Sequence, residues 1–192
     1  MIYRLKRAFV WLRRFTHLRG NGVQSPFVYD FIWQVIDNRS AYYAYTDLHR
    51  ELKALPLRQR KLAKLLFRLA NYVQPCIIRL DKDLHNTYAP FLKRGCAKAA
   101  VTTTDDTVPT QNSQSSAPIL IVSQKPCIPP DPSLLSVGSM IVALNIRKPN
   151  DNKNLWRQTL TSPLATLTFD LYNYGIVIIA PDRYKQHYVI NF

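Results

Sequence analysis

Cys76-Ile77-Ile78-Arg79-Leu80-Asp81-Lys82-Asp83-Leu84-His85-Asn86-Thr87 is the stretch that decides the fold of this chain. Cys76 to Leu80 is a short apolar run between Pro75 and Asp81, the signature of a buried strand. Leu84 to Lys93 then takes helical spacing, and Ala97 to Thr102 reads as a second strand. A strand, a helix and a strand in so short a span make a parallel β-α-β unit, because parallel strands need a crossover of about a dozen residues. The turn after the first strand contains no Gly.

Moving outward, the residues before the strand are helical. Residues 57–73 carry an apolar stripe of Leu62, Leu65, Leu66, Leu69 and Val73, beside a basic stripe of Lys61, Lys64 and Arg68. Pro75 ends this helix. Upstream, Gly20-Asn21-Gly22 signals a turn. Ser25 is placed to cap a helix whose first turn holds Pro26, with Phe27, Phe31, Ile32, Val35 and Ile36 at helical spacing and Asn38-Arg39-Ser40 as its end. Tyr42, Tyr43 and Tyr45 form an aromatic knot, and Thr46 is the expected cap of a short helix over 47–54 closed by Pro56.

Downstream the period is that of strands. Residues 103–117 are polar and Ser/Thr-rich, an expected loop. Ile119 to Val122 and Met140 to Leu144 are continuous apolar runs of the kind found inside a parallel sheet, joined by a Pro-rich connection over 124–138. Asn154 to Thr161 reads as a short helix. Ala165 to Tyr172 alternates as a half-buried strand, and Asn173-Tyr174-Gly175 turns it into Ile176 to Ile179 as a hairpin. His187 to Phe192 is either an edge strand or a tail. The expected class is α/β: a mostly parallel sheet with a C-terminal antiparallel hairpin, preceded by helices.

Composition excludes several classes. At 192 residues the chain makes one domain at about 150 residues per domain. A content of 47% hydrophobic and 11% aromatic residues excludes wholesale disorder. Five Gly and thirteen Pro exclude a collagen-like chain. Cys76, Cys96 and Cys127 include no CxxC pair and are odd in number, which excludes a disulfide scaffold. With the four His scattered at 17, 49, 85 and 187, no zinc-ligand spacing exists. Charged residues and Pro interrupt every apolar run short of the ~20 residues that span a bilayer, and the basic N-terminus has no continuous apolar stretch of a leader. The expected location is cytoplasmic, with the basic front able to touch a membrane surface.

The net charge of +14 is lopsided. Residues 1–100 hold 19 basic and 6 acidic residues, and 101–192 hold 7 and 6. Residues 2–18 read as a basic amphipathic helix, with Ile2, Leu5, Phe9 and Leu12 on one side. Arg4, Lys6, Arg7, Arg13, Arg14 and Arg19, with Trp11 and Phe15 interleaved, form a candidate polyanion surface for nucleic acid or anionic lipid heads. The alternative, and the expectation adopted, is that the apolar side docks on the rest of the domain.

Taken together the runs resemble a bacterial family of class I methyltransferase-like proteins. The matching stretches are Gly22-Val23-Gln24-Ser25-Pro26-Phe27, Tyr42-Tyr43-Ala44-Tyr45, Leu65 to Pro75, Thr166 to Leu171, Gly175-Ile176-Val177 and Gln186 to Ile190. The resemblance covers most of residues 15–80 and 118–192. It implies a Rossmann-like sheet and a site for S-adenosylmethionine. In such an enzyme an acidic residue and a Gly-rich loop follow the first strand, so that main chain approaches the cofactor closely. By resemblance Asp81 and Asp83 stand for that acid, and Asp105 or Asp106 for the acid that holds the ribose.

The chain departs from the family where the chemistry resides. Nothing replaces the glycines between Arg79 and Thr87, Gln24 stands where the family has His, and about fifteen residues separate the second strand from the next buried one. That is too short for the expected helix–strand–helix crossover, so one strand is expected to be missing. Elsewhere, Ser25 is better explained as a cap than as a nucleophile, Cys76 as a core residue, and the tyrosines as packing between helices rather than a stacking platform. Asp170 and His187 either pair near the hairpin or never meet.

The resulting expectation is a basic helical region over 1–73 packed on a reduced α/β methyltransferase-like core over 74–192. It has lost its cofactor site and holds no S-adenosylmethionine, leaving a structural or interaction role. The alternatives are an active S-adenosylmethionine-dependent methyltransferase and a binding protein for nucleic acid or anionic membrane.

Overall fold

A computed structural model describes residues 23–104, 117–125, 135–148 and 151–192. The helix expected over 2–18, the six N-terminal cations Arg4 to Arg19, Gly22, most of the polar loop with Asp105 and Asp106, and Cys127 lie outside the described residues.

Four helices precede the sheet. Helix α1 (Pro26–Phe31) starts where Ser25 leaves the extended region, its side chain accepting from the Val28 amide at 3.5 Å. The chain then widens into a π turn over Ile32–Ile36. Helix α2 (Tyr43–Asp47) and helix α3 (His49–Ala54) are short. Thr46 does not cap α3 as expected: it lies inside α2, and Leu48 precedes α3 without a side-chain cap. Helix α4 (Leu57–Val73) has the predicted bounds and stops at Gln74, which turns left-handed at φ 48° before Pro75.

The sheet has seven strands: β1 (Ile77–Leu80), β2 (Ala100–Thr103), β3 (Ile119–Ser123), β4 (Met140–Leu144), β5 (Leu167–Asp170), β6 (Tyr174–Ile178) and β7 (Gln186–Val189). Helix α5 (Lys82–Gly95) links β1 to β2, and helix α6 (Asp151–Thr161) lies between β4 and β5. The spatial order is β2-β1-β3-β4-β6-β5-β7. Pairing is parallel from β2 through β4, antiparallel where β6 meets β4 and β5, and parallel again between β5 and β7. The α/β class, the mostly parallel sheet and the hairpin are as the sequence predicts, and the C-terminal segment is an edge strand.

Strand parity sorts the core. Leu120, Val122, Val142, Leu144, Phe169 and Ile176 face one side of the sheet, in one cluster with Phe31, Leu65, Leu66 and Leu69 of the helices. Ile121, Ile141, Ala143 and Val177 face the other side and meet Trp156 of α6. The Phe31 ring lies 5.0 Å from Phe169 and 5.4 Å from Tyr72, each pair adding roughly 0.5–1.5 kcal/mol beyond area burial. The described part of the helical front, from residue 23, therefore shares one core with the sheet.

Three further expectations need correction. β5 is buried along its whole length rather than half-buried, because its polar positions are paired: Thr168 Oγ1 meets His187 Nδ1 at 2.8 Å, and Asp170 accepts from Arg147 at 2.7 Å. Gly175 is not a turn residue. It lies in β6, where a Cβ would sit 2.4 Å from the Trp156 ring. Arg68 does not belong to an exposed basic stripe: it is 6% exposed and donates to Val35 O at 2.6 Å and Ile36 O at 3.2 Å.

Candidate functional site

From β1 the chain goes to β2 on one side and to β3 on the other. In open α/β sheets such a reversal leaves a crevice at the carboxyl ends of the strands, where ligands bind. The residues at that edge here are Asp81 after β1, Thr104 after β2, Ser123 and Gln124 at the end of β3, and Asn145 after β4.

The bend after β1 is a single residue. β1 ends at Leu80 and α5 begins at Lys82, earlier than the expected start at Leu84. Asp81 occupies the N-cap position but makes no side-chain cap. Its carboxylate turns instead to the neighbouring strand ends. Oδ2 accepts from the Gln124 amide at 2.6 Å and from Ser123 Oγ at 3.0 Å, and Oδ1 accepts from Thr104 Oγ1 at 3.4 Å. Its main chain is also occupied: the Asp81 amide donates to Val122 O at 3.2 Å, and the Asp81 carbonyl accepts from the Leu84 amide at 2.8 Å. Asp81 thus ties β1, β2 and β3 together at their carboxyl ends.

A hollow of about 350 Å³ lies beside this tie, lined by Asp83, Leu84, Thr87 and Tyr88 of α5, by Gln124, Leu144 and Asn145 at the ends of β3 and β4, and by α4 residues with Tyr174. Asp83 is exposed on its wall, and Asp81 is not among the lining residues. The two nominated acids therefore diverge, one structural and one facing the hollow. Burial is the first cause that pushes the Tyr88 phenol up to about 12, with Tyr174 adding to it, so Tyr88 is a neutral wall at ordinary pH.

The ends of β3 and β4 are joined by a residue that sequence reading missed. The buried Asn152 side chain donates to Gln124 O at 2.8 Å, Asn145 O at 3.3 Å and Leu144 O at 3.4 Å. Asn145 is left-handed at φ 54°, which bends the end of β4 towards this latch. At the hairpin, Asp170 takes Arg147 on Oδ2 and the Tyr172 amide on Oδ1 at 2.7 Å. No sequence signal marks Asn152, since one amide at a helix start reads as a solvated position.

The family-like front motif is partly described. Gln24 is exposed, Ser25 caps α1, Pro26 opens it, and Phe27 is half-buried beneath Arg183 at 4.2 Å from the ring centroid. These residues lie at the start of α1 and do not line the hollow. Tyr42 and Tyr45 pack edge-on against Phe67 at 5.2 Å each, whereas Tyr43 is 94% exposed and outside that cluster. Cys96 is buried and Cys76 half-buried, and no group of residues suited to a metal ion occurs among the described residues. No helix among the described residues is long and apolar enough to cross a membrane. Comparison with protein-family models, with curated proteins and with solved structures finds no match to this chain.

Proposed function

We propose that this chain is a shortened, degenerate relative of class I methyltransferases that neither binds S-adenosylmethionine nor transfers a methyl group, and acts through interactions. The observation that carries the reading is the engagement of Asp81. The resemblance implies that an acid after the first strand would face the ligand across a bend cleared by glycines. Here its carboxylate is held by Gln124, Ser123 and Thr104, and α5 starts one residue after β1. The strand reversal at β1 and the antiparallel hairpin beyond β4 support the ancestry. The short connection from β2 to β3 supports the loss of one strand with its helices.

The test is titration calorimetry of the full chain with S-adenosylmethionine, with a thermal-shift series as a second readout. The expected result is no saturable heat and no shift. Micromolar binding sensitive to Asp83→Asn would assign the hollow beside α5 to the cofactor and replace this reading with that of an active methyltransferase. The charge of the helical half favours anionic partners, nucleic acid or an anionic lipid surface among them.

A further inference from the structure

We infer that the helical half carries a second, separate site that takes a compact phosphate-bearing anion. It is a hollow of about 660 Å³ between the loop after the π turn, α2, α3 and the outer face of α4. Its wall includes Arg39, His49, Lys53, Arg60, Lys64 and Arg68, and no carboxylate is among its lining residues. Its volume lies within the ~300–1,000 Å³ of small-molecule sites.

Three of the cations, Arg60, Lys64 and Arg68, are held in place by the fold, while Arg39, His49 and Lys53 rim the hollow at exposed positions. Arg60 Nη2 donates to Leu55 O at 3.2 Å and Lys53 O at 3.3 Å, which clamps its guanidinium over the α3–α4 junction. Its Nε is buried and has no hydrogen-bond partner, which is costly for a cation. Lys64 Nζ sits 4.9 Å over the Tyr45 ring, and Arg68 lies beneath, fixed to Val35 O and Ile36 O. Asp37 reaches the exposed Arg39 at 3.7 Å, and Asp47 is committed to Arg94. Glu51 is the only acid between Asp47 and Asp81 in the sequence.

Like charges fixed in one concavity repel unless an anion enters. Arginine forks and a lysine point charge are the side chains that hold phosphate. A volume of about 660 Å³ suits a small ligand, so the ligand it fits is a compact di- or polyphosphate group rather than a nucleic-acid strand. The site shares no lining residue with the hollow beside Asp83. A failure to bind S-adenosylmethionine therefore leaves this inference standing, and the reverse holds.

The probe is inorganic pyrophosphate, titrated calorimetrically into the full chain at low ionic strength. The expected result is saturable binding with Kd below about 1 mM, weakened by about tenfold in the Lys53→Gln/Lys64→Gln double variant. Lys53→Gln alone, at an exposed position, keeps the test open should the double variant misfold, with an expected loss of about threefold. Lys98→Gln/Lys153→Gln removes the same charge at exposed positions elsewhere and is expected to change Kd by less than about twofold. Three results would overturn the site: no saturable heat with pyrophosphate, an equal loss in both double variants, or tight binding of a single-stranded oligonucleotide that pyrophosphate fails to displace.

Discussion

The Asp81 carboxylate and the Gln124 amide, 43 residues apart in sequence, meet at 2.6 Å across the carboxyl edge of the sheet. A charged acceptor on a backbone donor is about twice as strong as a neutral pair. Here it fixes β1 against β3 where the two would otherwise part. Asp81→Ala is expected to lower stability by about 2–3 kcal/mol in urea denaturation, because it strands the Gln124 amide and the Ser123 hydroxyl. Ser123→Ala removes one neutral donor and should cost about 1 kcal/mol. A double-mutant cycle that found the two losses additive would show that the carboxylate does not hold Ser123.

Arg68 makes a second prediction, on the opposite end of the helical front. Its buried guanidinium donates to Val35 O and Ile36 O at the end of the π turn and to the Tyr45 hydroxyl. Those carbonyls lack helical partners of their own and need an outside donor. Arg68→Met should cost about 3 kcal/mol in the same denaturation experiment, since it leaves buried acceptors unpaired. Arg68→Lys is expected to recover only part of that, because an ammonium lacks the planar fork that spans two carbonyls. Equal stability of the Met variant and the parent would contradict the role.

What the sequence makes legible is decided by whether a signal is local. Helix α4 is readable to the residue because its stripe, its start after Pro56 and its stop before Pro75 all lie within one run. β3 and β4 are readable because each is a short apolar run with a breaker just ahead of it, Pro118 and Gly138, as a covered strand has. Arg68 is misread because nothing within α4 distinguishes a cation that meets the π turn from one that meets water. β5 is misread because its Thr and Asp positions look solvent-facing until β7 and Arg147 are brought beside them. The lack of glycine after β1 is legible, but the occupation of Asp81 is not, since two of its three side-chain donors, Ser123 and Gln124, lie beyond the Ser/Thr-rich loop. The basic hollow is spread over residues 39–68, and its sign is visible in the charge count while its concavity is not.

Gly95 and Gly175 give contrasting predictions, both about close approach. A Cβ on Gly175 would meet the Trp156 ring at 2.4 Å, and a Cβ on Gly95 would meet the Phe67 carbonyl at 2.5 Å. The first obstacle is a side chain and the second is backbone. Gly175→Ala should cost about 1–3 kcal/mol, as overpacking does, and Trp156→Leu in the same chain should restore part of it. Gly95→Ala has no such rescue, because α5 must move off α4 as a body. Its melting temperature should fall further than that of Gly175→Ala, and a smaller fall would mean that α5 and α4 separate easily.

Tyr88 predicts the alkaline limit of the fold. Its side chain is 4% exposed and its phenol is pushed from 10.0 to about 12, first by burial and then by Tyr174. Burial also raises the phenols of Tyr45, Tyr72 and Tyr188. A group whose folded pKa lies above its unfolded value stabilises fully below the unfolded value, and that contribution disappears as pH rises through the folded one. For Tyr88 the window runs from about pH 10 to about pH 12. Phenolate absorbance at 295 nm should therefore lag the normal tyrosine curve across this window, then rise together with loss of the far-ultraviolet dichroism. Tyr88→Phe, which cannot ionise, should move the unfolding midpoint to higher pH. Complete ionisation near pH 10 with the dichroism intact would show that the phenol beside the hollow is open to water.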